Sequence, residues 1–174
     1  NPGRKYEGTR HNVGYRVIDE LSGKYAISNH RHHFQGVLVE ARLGEERTLL
    51  LKPETFMNLS GSSVLAARDF HKIAASDILV VCDDFNLPLG KLRIRKLGSA
   101  GGQKGLADVI RRLGSEEVPR LRIGVGAPPD EQDGAQHVLS KFRKNELAEM
   151  EIAVGNAADA VAVWATAGID ACMN

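Results

Sequence analysis

Asp77-Ile78-Leu79-Val80-Val81-Cys82-Asp83-Asp84 decides the fold. Five apolar residues in succession, without polar alternation and bounded by aspartates, fit a short strand buried on both faces. Downstream, Leu92 and Ile94 alternate with Arg93 and Arg95, the pattern of a half-exposed strand. Leu106, Val109, Ile110 and Leu113 then recur at helical spacing, with Gly114 to end the helix. A further strand reads through Leu121, Ile123 and Val125. Upstream, Ser60 is placed to cap a helix carrying Val64, Leu65 and Ala67 on one face. Residues 37–43 and 48–52 read as a strand pair joined by a polar turn around Gly44. Val13, Val17, Ile18 and Leu21 mark a first helix, and the Ala-rich stretch 145–166 a last one. Strands alternating with helices predict a single α/β domain with a central mixed, mostly parallel sheet flanked by helices.

Length and composition agree. The 174 residues make about one domain. Hydrophobic residues are 43% and charged residues 26%, which excludes a disordered chain, a collagen and a coiled coil. No apolar run approaches the ~20 residues that a membrane span needs, and no basic stretch leads into an apolar one at the start, as a secretory signal would. Two cysteines, Cys82 and Cys172, make no disulfide framework and fit a reducing, cytoplasmic compartment. The chain starts at Asn1 without a Met, which points to residues upstream.

The near-neutral net charge of +1 hides an asymmetry. Residues 91–122 hold nine basic and three acidic side chains, a local charge of +6, whereas residues 130–174 hold three and eight, or −5. A basic region of this kind fits a face that meets an anion, nucleic acid above all. It fits a solvated strand and helix face equally well.

In open α/β sheets ligands bind beyond the carboxyl ends of the strands. Lys52-Pro53-Glu54-Thr55-Phe56-Met57-Asn58, Asp83-Asp84-Phe85-Asn86 and Gly126-Ala127-Pro128-Pro129 stand at such ends, and Thr9-Arg10-His11-Asn12 at the start of the first helix. A helix N-terminus disfavours positive charge, so His11 is kept neutral and able to act as a general base. A carboxylate such as Asp83 would hold one ring nitrogen and leave the other to activate water. Asn58 could donate its amide to an oxyanion or hold the attacking water. Taken singly, each has a plainer role: His11 completing a turn, Asp83 capping a loop, Asn58 leading into a helix. The Gly-rich loop 98–105 opens a helix but fails the Walker spacing, with Gln103 where Gly and Gly105 where Ser or Thr are required. Its backbone N–H groups still suit an anion. His30, His32 and His33 match no zinc set and read as a polar loop. No Ser stands in a nucleophile elbow, and neither Cys has an evident base beside it.

Five blocks resemble, in order and over nearly the whole chain, the signatures of the bacterial-type peptidyl-tRNA hydrolases. They are Asn1-Pro2-Gly3 through Tyr6, Thr9-Arg10-His11-Asn12 and Gly14; Lys52-Pro53 through Thr55-Phe56-Met57-Asn58 and Ser60-Gly61; Asp83-Asp84 through Leu87-Pro88 and Gly90; 98–105; and Arg120-Leu121-Arg122-Ile123-Gly124-Val125-Gly126. The resemblance implies hydrolysis of the ester between a stalled peptide and the 3′ ribose of tRNA, by a monomer without metal or cofactor. It implies His11 as proton acceptor and Asp83 as its support. Asn1 and Asn58 would hold substrate or water, with the Asn1 position separating blocked from free aminoacyl-tRNA. Tyr6 and Phe56 would line the acceptor-end cleft, and Arg95 and Arg122 would clamp a tRNA phosphate. Two departures stand out. The family usually has His-Asn where this chain has Gln103-Lys104, and Lys104 is placed to grip phosphate or ribose instead. The family also carries an apolar first strand before Asn-Pro-Gly; without it the sheet would be gapped and Asn1 poorly fixed. A non-catalytic RNA-binding protein on the same fold is the alternative, kept open by Gln103-Lys104 and opposed by the retained His11, Asp83 and Asn58.

Overall fold

The computed structural model describes residues 1–129 and 133–173. Helix α1 (Val13–Tyr25) is followed by an antiparallel meander of β1 (Arg31–His33), β2 (Gly36–Leu43) and β3 (Glu46–Pro53). Helix α2 (Ser60–His71), β4 (Val80–Asp84), β5 (Leu92–Arg95), α3 (Lys104–Leu113) and β6 (Arg120–Gly124) come next. The chain ends in α4 (Gly134–Val138), α5 (Leu147–Ala167) and α6 (Ile169–Cys172). None of the described helices is long and apolar enough to cross a membrane.

The expected α/β domain is present, but its strands form two sheets rather than one. The first has the order β1-β2-β3 and the second β4-β6-β5. Only β4 and β6 run parallel; β5 pairs antiparallel with β6, with Ile94 opposite Leu121 and Arg93 opposite Arg122. The short turns of the meander dictate antiparallel pairing there, since a parallel pair needs a long crossover. Between β3 and β4 lies a slot of about 1,230 Å³ whose walls include Leu49, Leu51, Val80 and Val81. This explains a second difference. Val80 and Val81 are only half-buried, and Cys82 alone of the apolar run is fully covered. The strand also starts two residues late and takes in Asp83 and Asp84.

Apolar side chains spaced for one helical face pack where the periodicity puts them. Val13, Val17 and Leu21 of α1 meet Val39, Ala41 and Leu43 of β2, Leu121 and Ile123 of β6, and the Ala-rich face of α5. A smaller cluster of Val109, Leu113 and Val118 joins Val64 and Leu65 of α2 beneath Val80. Ser60 is the first residue of α2 rather than its cap, which is Leu59. Its backbone is already helical, so its hydroxyl cannot take the capping position. His32 and His33, expected in a loop, lie in β1.

Candidate active site

His11 sits in a single 3-10 turn, Arg10–Asn12, that runs directly into α1. That turn is brought onto β4 by Gly14. A Cβ there would stand 2.6 Å from the Val81 carbonyl oxygen, so only glycine lets the helix start lie this close to the strand. The result is a contact across 72 residues of sequence: His11 Nδ1 lies 2.9 Å from Asp83 Oδ1. Asp83 is 3% exposed and the His11 side chain 15%. An ionised carboxylate only accepts, so Nδ1 carries the proton and Nε2 presents its lone pair.

Asp83 has a second partner. Gln103 Nε2 donates to the same oxygen at 3.1 Å, while Gln103 Oε1 accepts from the Leu106 backbone at 2.7 Å and caps α3. The sequence singled out Gln103 only as a misfit to other motifs. Gln is not a usual N-cap residue, so neither its capping of α3 nor its reach to Asp83 is legible from the sequence; both depend on how α3 packs against β4.

Strand alternation sends the next aspartate the other way. Asp84 Oδ2 accepts from Arg122 Nη1 at 3.0 Å, and its Oδ1 accepts from the Asn86 backbone at 2.9 Å. Arg122 also donates to the Ser99 carbonyl at 3.2 Å. Its guanidinium thus ties β6 to the Gly-rich loop and is largely enclosed. Arg120, beside it, is buried and donates to the carbonyls of Val118, Ser99 and Glu116. Burial, then repulsion from Arg122, lowers the Arg120 pKa. Arg95 and Lys104, by contrast, are exposed, with Lys104 opening α3.

Asn1 is held at both ends of its backbone. Its backbone nitrogen donates to Asn12 Oδ1 at 2.7 Å and its carbonyl accepts from Asn12 Nδ2 at 2.9 Å. A residue adjacent to His11 therefore anchors it. Tyr6 and Phe56 meet edge to face with centroids 6.5 Å apart, and Phe56 is 54% exposed. Asn58 is exposed in the 3-10 turn Met57–Leu59 between Phe56 and α2. Burial, with Asp83 next in effect, pushes the Cys82 thiol up to about 12, so it stays protonated and is no nucleophile. Among the described residues no group of His, Cys, Asp and Glu is placed to hold a metal ion.

A neutral imidazole oriented by a buried carboxylate, beside a helix start, can activate water against an ester. Comparison with known proteins places the chain in a family. The family model described as peptidyl-tRNA hydrolase matches residues 1–174. A peptidyl-tRNA hydrolase of Rhodopirellula baltica is 51% identical over the whole chain and 92% of that relative. One from a Thermoanaerobacter species is 47% identical over the whole chain and 94% of the relative. The crystal structure of peptidyl-tRNA hydrolase from Acinetobacter baumannii superposes with a TM-score of 0.92 at 32% identity, covering all of this chain and 89% of that one. A variant of that enzyme gives 0.93 at 33%, with the same coverage. Sequence and fold thus converge, and the chain belongs to the peptidyl-tRNA hydrolase family.

Proposed function

We propose that this protein hydrolyses the ester between a peptide and the 3′ ribose of tRNA, and that the His11–Asp83 pair carries the reaction. His11 Nε2 takes a proton from water as the water oxygen attacks the ester carbonyl. Asp83, fixed 2.9 Å from Nδ1, holds the tautomer and offsets the imidazolium charge. The Asn58 amide donates to the oxyanion, a contribution of about 10²- to 10³-fold in rate. When the intermediate collapses, the imidazolium returns its proton to the departing ribose oxygen. The products are a free peptide carboxylate and an intact tRNA 3′ end.

Asn1 holds the substrate's blocked α-amine, and Tyr6 with Phe56 forms the apolar wall of the acceptor-end cleft. Arg95 and Lys104 supply exposed charge for tRNA phosphates. Arg122 contributes through the N–H groups not used by Asp84 and Ser99, and keeps the Gly-rich loop in place. The reaction needs no metal, the protein acts as a monomer, and it works in the cytoplasm or an organelle that translates. A non-catalytic RNA-binding role on this fold finds no support in the comparisons, and pure binding has no use for an oriented base.

The test is release of peptide from N-acetylaminoacyl-tRNA in chelator, by the protein and by His11→Ala, at stepped salt. Release should persist in chelator and fall about 10²- to 10⁴-fold in the variant. Its kcat/KM should fall steeply with salt as phosphate contacts are lost. Tight tRNA retention without release would instead favour the binding role.

A further inference from the structure

We infer that Gln103 is the positioning residue that sets the reactivity of the His11–Asp83 pair, by holding Asp83 with a donor that does not titrate. The inference rests on the hydrolase reading above. Asp83 is enclosed, and a buried carboxylate that accepts only one hydrogen bond is costly. Its Oδ1 accepts two, from His11 Nδ1 at 2.9 Å and from Gln103 Nε2 at 3.1 Å. The Gln103 amide cannot turn round to undo this. Its Oε1 is committed to the Leu106 N–H at 2.7 Å, at the N-cap of α3, which fixes the amide face that meets Asp83. Gln103 is itself 9% exposed, so water does not compete for either bond.

The consequence is electronic as well as geometric. A donor on Asp83 draws off part of its negative charge and tempers its pull on the imidazolium. Asp83 thus meets Nδ1 from a fixed direction while its charge is shared between two donors. The other ionisable groups of the surrounding elements do not replace this contact. Asp84 is paired with Arg122, and Cys82 is protonated. The Asn1 amino group donates to Asn12 and also acts on Asp83 through its charge, and Lys104 is exposed to solvent.

Two substitutions separate this role from simple helix capping. Asn caps a helix well but is one methylene short of Asp83. Gln103→Glu keeps an oxygen for the Leu106 N–H and places a carboxylate where Asp83 had a donor. Peptide release from N-acetylaminoacyl-tRNA is measured from pH 5 to 9, with thermal melting alongside. Gln103→Asn should lower kcat about tenfold with KM and melting temperature little changed. Gln103→Glu should move the acid limb of kcat/KM about one unit to higher pH, because added negative charge keeps His11 protonated. Activity and acid limb unchanged in both variants would overturn the inference. Should both lose activity only in proportion to lost folding, Gln103 is a cap and the inference likewise falls. The unsubstituted protein and His11→Ala in the same assay keep the two readings apart: no release by the former, or full release by the latter, would count against the hydrolase reading itself.

Discussion

Arg10 and His11 are consecutive residues of one 3-10 turn, and each meets a carboxylate at short distance, 2.7 Å for Arg10–Glu146 and 2.9 Å for His11–Asp83. The turn points them apart. Arg10 is 3% exposed and uses its guanidinium on Glu146, the Val125 carbonyl and the Ser140 hydroxyl, while its plane lies 4.8 Å from the centre of the Phe142 ring. It ties the start of the chain to β6 and to the approach to α5. His11 uses Nδ1 on Asp83 and its side chain stays partly exposed. An arginine in general stays charged at any working pH, whereas a histidine in general can exchange a proton near neutrality. The difference lies in what each side chain is bonded to: Arg10 donates to three separate residues, whereas His11 is tied through Nδ1 to Asp83.

The comparison can be broken from either side, and the largest effect belongs to the His11 side. Asp83→Asn keeps shape but lets an amide N–H face Nδ1, which puts the ring proton on Nε2 and removes the base. Peptide release should fall about 10³-fold while the urea midpoint moves little. An equal loss of stability would mean that Asp83 belongs with Arg10 as a structural group. On the other side, Arg10→Met retains bulk against Phe142 and strands Glu146. Chemical denaturation should show a loss of about 2–3 kcal/mol, below the full cost of breaking a buried pair because Glu146 is partly exposed. The folded fraction should keep far more activity than Asp83→Asn.

The smallest effect is read from acid. Burial opposes ionisation of Glu146, but hydrogen bonds from Arg10 and the Arg143 backbone outweigh it and hold its carboxyl below the usual glutamate range. A carboxyl with a lowered folded pKa adds stability that is complete above its unfolded value, about 4.3, and lost as pH falls through the folded value. Glu146→Gln should therefore be less stable than the parent at pH 6, and the gap should narrow below pH 4. A gap independent of pH would mean that the Arg10 clamp works through shape rather than charge.

Most elements were legible because their cues are local. The helical spacing of Val13, Val17 and Leu21 and the alternation of Leu92 and Ile94 each survive in the structure. β1 was missed because its hairpin turn is made by Phe34 and Gln35, both left-handed with φ of 52° and 55°, without the Asn-Gly or Gly-Gly that normally announces such a turn. His11, Asp83 and Asn58 were candidates by type and by position at strand and helix ends, and the structure brings the first two into contact. Gln103 as a partner of Asp83, and Arg122 as a partner of Asp84, were not, since neither spacing nor periodicity reports a contact across 20 or 38 residues.

The sequence by itself determined which residues could act: one histidine at a helix start, aspartates closing an apolar strand, a basic stretch from 91 to 122. Hydrophobic periodicity and residue chemistry are local properties, and the chain carries them whatever its fold. The tertiary structure decided which of those residues meet and how much each has left to offer. Gly14 admits α1 to β4 and so makes a pair of His11 and Asp83. The α3 cap turns Gln103 toward that pair, and the 3-10 turn buries Arg10 while leaving His11 open. Burial and hydrogen-bond saturation arise only when distant segments pack, and here they set an enclosed Arg10 apart from a partly exposed His11.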